Sequence, residues 1–171
     1  DGKLAIIDGN DGFIIIDPTE EELENYKAKI KEEEELKQRL KLVKDKRATS
    51  KDGRSVEVSA NIGNLEDLKI AIENGCDGVG LFRTEFLYME NTHFPTEDEQ
   101  FEVYKQATEM LGEKPLIIRT LDIGGDKGLD YFEFPVEENP FLGYRAIRLC
   151  LDREDIFMTQ LKALVRASAF G

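Results

Sequence analysis

Two arginines stand in matched positions. Val79-Gly80-Leu81-Phe82 runs into Arg83-Thr84, and Leu116-Ile117-Ile118 runs into Arg119-Thr120. Each is an apolar run of strand length followed at once by a guanidinium. Ligands of α/β folds bind beyond the carboxyl ends of the strands, so two arginines delivered there from separate strands can converge on one anion. Guanidinium forks pair bidentately with phosphate or carboxylate and keep their charge at any relevant pH. The plainer alternative is that each arginine pairs with a nearby carboxylate, Glu85 or Asp122. The repeated placement favours anion binding, because it gathers cations locally in a chain whose 23 basic and 36 acidic residues give a formal charge of −13.

Other residues could assist. Leu121 to Gly128 carries Gly124, Gly125 and Gly128, which let backbone approach a ligand, and Lys127 adds a point charge. An exposed lysine on an ordinary glycine turn accounts for the segment equally well. Its spacing is not that of a nucleotide-binding P-loop. Asp122 and Asp126 are two carboxylates, too few to define a metal site. Arg145 and Arg148, three apart in a helical pattern, would share a face, with a salt-bridged surface pair as the default reading. His93, the only histidine, lies in an acidic turn before Pro95 and reads as a loop residue rather than a phosphate acceptor. No nucleophilic constellation can be built around it, so neither a catalytic residue nor a metal ligand is expected in this chain.

These side chains need a scaffold. From residue 51 onward, strands are expected over 56–62, 78–82 and 115–121. Helices are expected over 65–74, from a Thr96/Glu99 capping box to Leu111, over 141–151 and from 154 onward. Alternation of short apolar strands with helices predicts an α/β fold with a parallel sheet. Three strands leave an edge in need of a fourth, so the sequence reads as part of something larger. Before it, 1–17 reads as a β-hairpin around Asp-Gly pairs. A helix is expected over 18–46, with Asp17 as its cap and Pro18 in its first turn; it would be ~40 Å long. It reads as an interdomain linker, with a coiled-coil segment or a solvated helix as alternatives.

An apolar fraction of 40% supports a packed core. The strong negative charge excludes nucleic acid and anionic membranes as partners. No run approaches the roughly 20 apolar residues of a membrane span. Cys76 and Cys150 show neither metal-knuckle nor disulfide-framework spacing. A cytoplasmic location is expected.

Three segments together carry a resemblance: Gly80-Leu81-Phe82-Arg83-Thr84-Glu85-Phe86-Leu87-Tyr88-Met89, Arg119-Thr120-Leu121-Asp122-Ile123-Gly124-Gly125-Asp126-Lys127 and Asn139-Pro140-Phe141-Leu142-Gly143-Tyr144-Arg145. In this order and spacing they resemble the Enzyme I family of phosphoenolpyruvate (PEP)–protein phosphotransferases of the bacterial sugar phosphotransferase system. The resemblance implies that 1–17 is the tail of a phosphohistidine domain, 18–50 a helical linker, and 51–171 the first three βα units of a PEP-binding (β/α)8 barrel. Arg83 and Arg119 would hold PEP, with Asp122, Lys127 and Arg145 around them. The phosphoryl group would pass to a histidine of an amino-terminal domain and on to a histidine-containing phosphocarrier protein. Mg2+ would be held by carboxylates outside these residues, and the barrel would form a homodimer. On this reading the 171 residues alone are inactive. Dikinase- or synthase-type PEP phosphotransferases, a nitrogen-regulatory paralogue and a non-catalytic interaction module are the alternatives.

Overall fold

Residues 2–171 are described by a computed structural model, in which the chain divides into one unit running to Lys46 and a second over Arg47–Gly171. In the first unit, the apolar stretches on either side of Gly9 form β1 (Ala5–Asp8) and β2 (Phe13–Ile16), paired antiparallel with Asp8 opposite Phe13. The Asp8 carboxylate closes the turn by accepting from the backbone N–H groups of Asn10 and Asp11, 3.0 Å each. Helix α1 (Glu20–Lys41) follows, and none of its residues is buried.

Its start differs from the expectation. Thr19, not Asp17, is the cap, in a reciprocal capping box with Glu22. Asp17 lies outside the helix with φ 54°, a left-handed value that aspartate tolerates better than most residues. The helix ends at Lys41 rather than near 46. There Leu42 and Val43 donate to Arg39 O and Leu40 O, tightening the last turn into i→i+3 bonds.

The second unit runs β3 (Ser59–Ile62), α2 (Leu65–Glu73), β4 (Gly78–Arg83), α3 (Glu85–Met89), α4 (Glu97–Leu111), β5 (Leu116–Arg119), α5 (Ala146–Asp152) and α6 (Glu154–Ala167). The three strands form one parallel sheet, ordered β3-β4-β5. The Thr96/Glu99 capping box opens α4 as expected, and Gly112 ends it at φ 60°. β3 starts three residues later than expected, because Val56 N–H donates to Ala48 O and Val58 N–H to the Asp77 carboxylate. β5 is shorter than 115–121, since the Leu121 N–H bonds a side chain rather than a strand.

The expected helix over 141–151 is broken in two. A 3-10 turn, Pro140–Leu142, is followed by extended backbone at Arg145 and by Ala146 at φ 48°. The Glu137 carboxylate takes the Tyr144 N–H at 2.8 Å and fills the space beside Gly143, so the helix cannot run through. Arg145 and Arg148 therefore do not share a helix face.

One apolar core packs the sheet against α2, α4 and α6 through Ile62, Leu68, Val79, Phe82, Tyr104, Leu111, Ala163 and Ala167. Phe82 meets Tyr104 edge-on, 6.2 Å between centroids; truncating such a ring costs about 3–5 kcal/mol. A second core, with Tyr88, Leu121, Ile123, Leu149, Cys150 and Ile156, lies under the segment after β5. Among the described residues no helix is long and apolar enough to cross a membrane.

Candidate anion-binding site

The parallel ladder between β4 and β5 ends on Arg83 opposite Arg119. In-register neighbours on adjacent strands project to the same face of a sheet. Phe82, one residue earlier, is buried in the core. The alternation that sends Phe82 inward thus sends both arginines to the other side.

Their surroundings differ. The Arg83 guanidinium lies over the Phe86 ring, 4.9 Å from its centroid, and makes no ion pair among the described residues. Arg119 pairs with Glu85 and with Asp122, the latter at 3.2 Å. The carboxylate alternative therefore holds for Arg119 and not for Arg83. Glu85, only 1% exposed, receives Arg119 and Lys127 on the same oxygen, Lys127 at 2.6 Å.

Among the described residues, three buried side-chain atoms lack a hydrogen-bond partner: Arg83 Nε, Arg119 Nε and Glu85 Oε2. All belong to this cluster. An unmet buried polar group costs about 1–3 kcal/mol, and native proteins keep few of them. Two of the three are N–H donors of the paired guanidiniums.

The segment after β5 supplies the rest. Gly124 and Lys127 bond each other's backbone, closing a tight turn that brings the Lys127 ammonium between Glu85 and Asp122. Gly124 sits at φ 110°, and a Cβ there would lie 2.6 Å from the Arg145 Cβ. The glycines thus admit Arg145, which reaches Asp122 at 2.8 Å and Asp126 at 3.7 Å. Burial pushes the Asp122 carboxyl upward, but the Arg145 hydrogen bond and the charges of Arg119 and Lys127 outweigh it and hold the carboxyl below its ordinary value. Four cations (Arg83, Arg119, Lys127, Arg145) face three carboxylates (Glu85, Asp122, Asp126), leaving one positive charge within a chain of −13.

Arg148 lies outside the cluster, donating to the carbonyls of Gly143 and Phe141. His93 pairs with Glu99 at 3.4 Å on the surface and has no part in it. Asp122 and Asp126 are engaged with cations, and among the described residues no group of three or more His, Cys, Asp or Glu side chains could hold a metal ion. The arrangement can bind and neutralise a phosphate- or carboxylate-bearing molecule.

Sequence reasoning passed over Thr84, Gln100, Tyr104 and Gln160, which form a buried polar network behind the arginines. A signal existed. Gln160 falls on the stripe Ile156, Gln160, Ala163, Ala167, whose helical spacing marks a buried face.

The family model described as "PEP-utilising enzyme, PEP-binding domain" matches residues 20–171. The phosphoenolpyruvate-protein phosphotransferase of Priestia megaterium is 52% identical over 170 residues, 99% of this chain and 30% of that protein. The protein of the same name from Staphylococcus aureus is also 52% identical, with the same coverage. That of Latilactobacillus sakei is 49% identical, again over 99% of this chain and 30% of its own length. The chain spans about 30% of the length of the curated relatives it matches. The match over residues 20–171, with relatives about half identical along nearly the whole chain, shows that the chain belongs to the family of PEP-utilising enzymes, in their PEP-binding domain.

Proposed function

We propose that the chain contributes the PEP-binding arginines of a phosphotransferase of the sugar phosphotransferase system. PEP is a small polyanion. Arg83 and Arg119 would clamp its phosphoryl and carboxylate groups, while Lys127 and Arg145, held by Glu85 and Asp122, would add to the local positive potential. Phosphoryl transfer needs mainly positioning and charge neutralisation. The P–O bond of PEP would break as a histidine imidazole nitrogen accepts the phosphoryl group, and the enolate released would take a proton to give pyruvate. That histidine would sit on another domain, and the histidine-containing phosphocarrier protein would receive the group next.

The three-stranded parallel sheet supports reading residues 51–171 as the start of a (β/α)8 barrel, and residues 1–17 and 18–50 would then be a phosphohistidine-domain tail and a linker. Apolar side chains exposed at Phe141, Leu142, Ile147 and Leu151 are compatible with a homodimer of that barrel. A cytoplasmic location accords with PEP as the phosphoryl donor. The described residues do not fit a Mg2+ site, and its carboxylates would lie elsewhere in the whole protein.

The observation that carries the proposal is the pair of register-matched arginines whose buried Nε–H groups lack acceptors. The test is phosphoryl transfer from radiolabelled PEP in a full-length protein containing this chain, with phosphocarrier present. Label should reach the phosphocarrier, and Arg83→Ala should slow this by about tenfold or more at low PEP. Undiminished labelling by that variant would refute the role.

A further inference from the structure

Gln160 lies on α6, fully buried, with every polar atom engaged. Its Oε1 accepts from the Leu121 N–H at 2.8 Å; its Nε2 donates to Thr84 Oγ1 at 3.2 Å and to the Tyr104 hydroxyl at 3.1 Å. Thr84 Oγ1 in turn donates across to Arg119 O at 2.9 Å. Thr84 follows Arg83, and Leu121 lies two residues past Arg119. One amide therefore ties the chain just beyond both arginine strands, where the ladder has ended at Arg83–Arg119 and the strands part, β4 into α3 and β5 into a loop.

The direction of the amide is determined. The Thr84 hydroxyl hydrogen goes to Arg119 O, and the Tyr104 hydroxyl hydrogen to Gln100 Oε1 at 3.1 Å. Turned over, the amide would set its oxygen against two oxygens with no hydrogen to give, and its NH2 against the Leu121 N–H. Buried polar groups are retained when such a network specifies one arrangement. An apolar residue would fill the same space in the core without fixing the distance between the strand ends.

We infer that Gln160 is a positioning residue for the anion site: by clamping the ends of β4 and β5 it sets the separation of the Arg83 and Arg119 guanidiniums, and thereby favours ligands that must bridge both. This rests on the reading of the arginine pair as the PEP site. A displacement of about 1 Å between two binding groups can weaken a bridging ligand by tenfold or more. An anion small enough for one guanidinium is indifferent to that distance.

The test uses the 171-residue chain, with 1H–15N spectra of the Arg83 and Arg119 Nε–H groups and titrations of PEP and of inorganic phosphate. Gln160→Met is expected to shift both arginine signals without ligand and to weaken PEP about tenfold, with phosphate changed by no more than roughly twofold. Tyr104→Phe, which loosens the same network but leaves the ties to Thr84 and Leu121, should leave both signals and the PEP affinity near wild type. Unmoved arginine signals in Gln160→Met, equal losses for PEP and phosphate, or the same changes in Tyr104→Phe would overturn the inference. If Gln160→Met does not fold, Thr84→Val must reproduce its effects, and failure to do so is equally decisive. A wild-type chain that binds no PEP would defeat the proposed function, while the arginine signals of the ligand-free variants would still decide the role of Gln160.

Discussion

Arg83 and Arg119 are register partners at the end of one parallel ladder, yet only Arg119 is neutralised: it shares Glu85 with Lys127 and also meets Asp122. Arg83 stacks on Phe86. The pair thus combines one arginine fixed by carboxylates with one that has no carboxylate partner among the described residues.

The asymmetry separates binding from stability. Both Arg83→Ala and Arg119→Ala should weaken PEP by about 1.5–3 kcal/mol, the scale of a charged hydrogen bond. Chemical denaturation should divide them: Arg83→Ala is expected within about 0.5 kcal/mol of wild type, whereas Arg119→Ala removes one of the two partners of a buried carboxylate and should cost about 1–3 kcal/mol. Equal stability losses would show that the difference in pairing is inconsequential.

Glu85→Gln keeps the shape and removes the buried negative charge. Without ligand, Arg119 and Lys127 lose a counter-charge, and the fold should be less stable by about 1–3 kcal/mol. Added phosphate should then raise the thermal midpoint of the variant more than that of the wild type, because the anion binds a more positive site. A smaller rise in the variant would mean that Glu85 supports anion binding instead of competing with it.

Gly124→Ala asks whether the glycine turn serves Arg145. A methyl group at φ 110°, 2.6 Å from the Arg145 Cβ, cannot be housed without movement. The substitution should cost about 1–3 kcal/mol and loosen the Arg145–Asp122 contact. The Asp122 carboxyl, held low partly by that contact, should titrate at higher pH in the variant. An unchanged Asp122 titration by 13C NMR would show that Arg145 has stayed in place.

Legibility from sequence followed how local each signal was. The hairpin, the Thr96/Glu99 cap and the positions of all three strands depend on neighbours in the chain, and they were readable. The arginine pair was readable because the signal repeats: an apolar run, then Arg-Thr. The start of α1 was misplaced by two residues because Asp17 before Pro18 looks like a cap, whereas Thr19 with Glu22 satisfies the first turn on both sides. The break between Leu142 and Ala146 depends on Glu137, whose carboxylate holds the Tyr144 N–H. Gln160 reaches Thr84 across 76 residues, which periodicity cannot report, although its polarity on a buried stripe was visible.

In the first unit, Asp8 should titrate far below an ordinary aspartate. The Lys29 ammonium, with the Asp11 and Asn10 N–H groups, holds its carboxyl at about 2 against an ordinary 3.8. The depressed value means that these contacts stabilise the folded hairpin above pH 3.8 and lose that effect as the pH falls from there towards about 2. A 13C titration of the Asp8 carboxyl should show the low midpoint in wild type and a rise in Lys29→Met. A wild-type midpoint near 3.8 would contradict the arrangement.

The most direct test is titration of PEP into the 171-residue chain, read at the Arg83 and Arg119 Nε–H signals, in wild type and in each single alanine variant. One anion held by both guanidiniums requires the two signals to move together along one saturating curve, with either substitution weakening the curve seen at the other arginine. A shift confined to one arginine, or an Arg119 response unaltered by Arg83→Ala, would contradict a shared site.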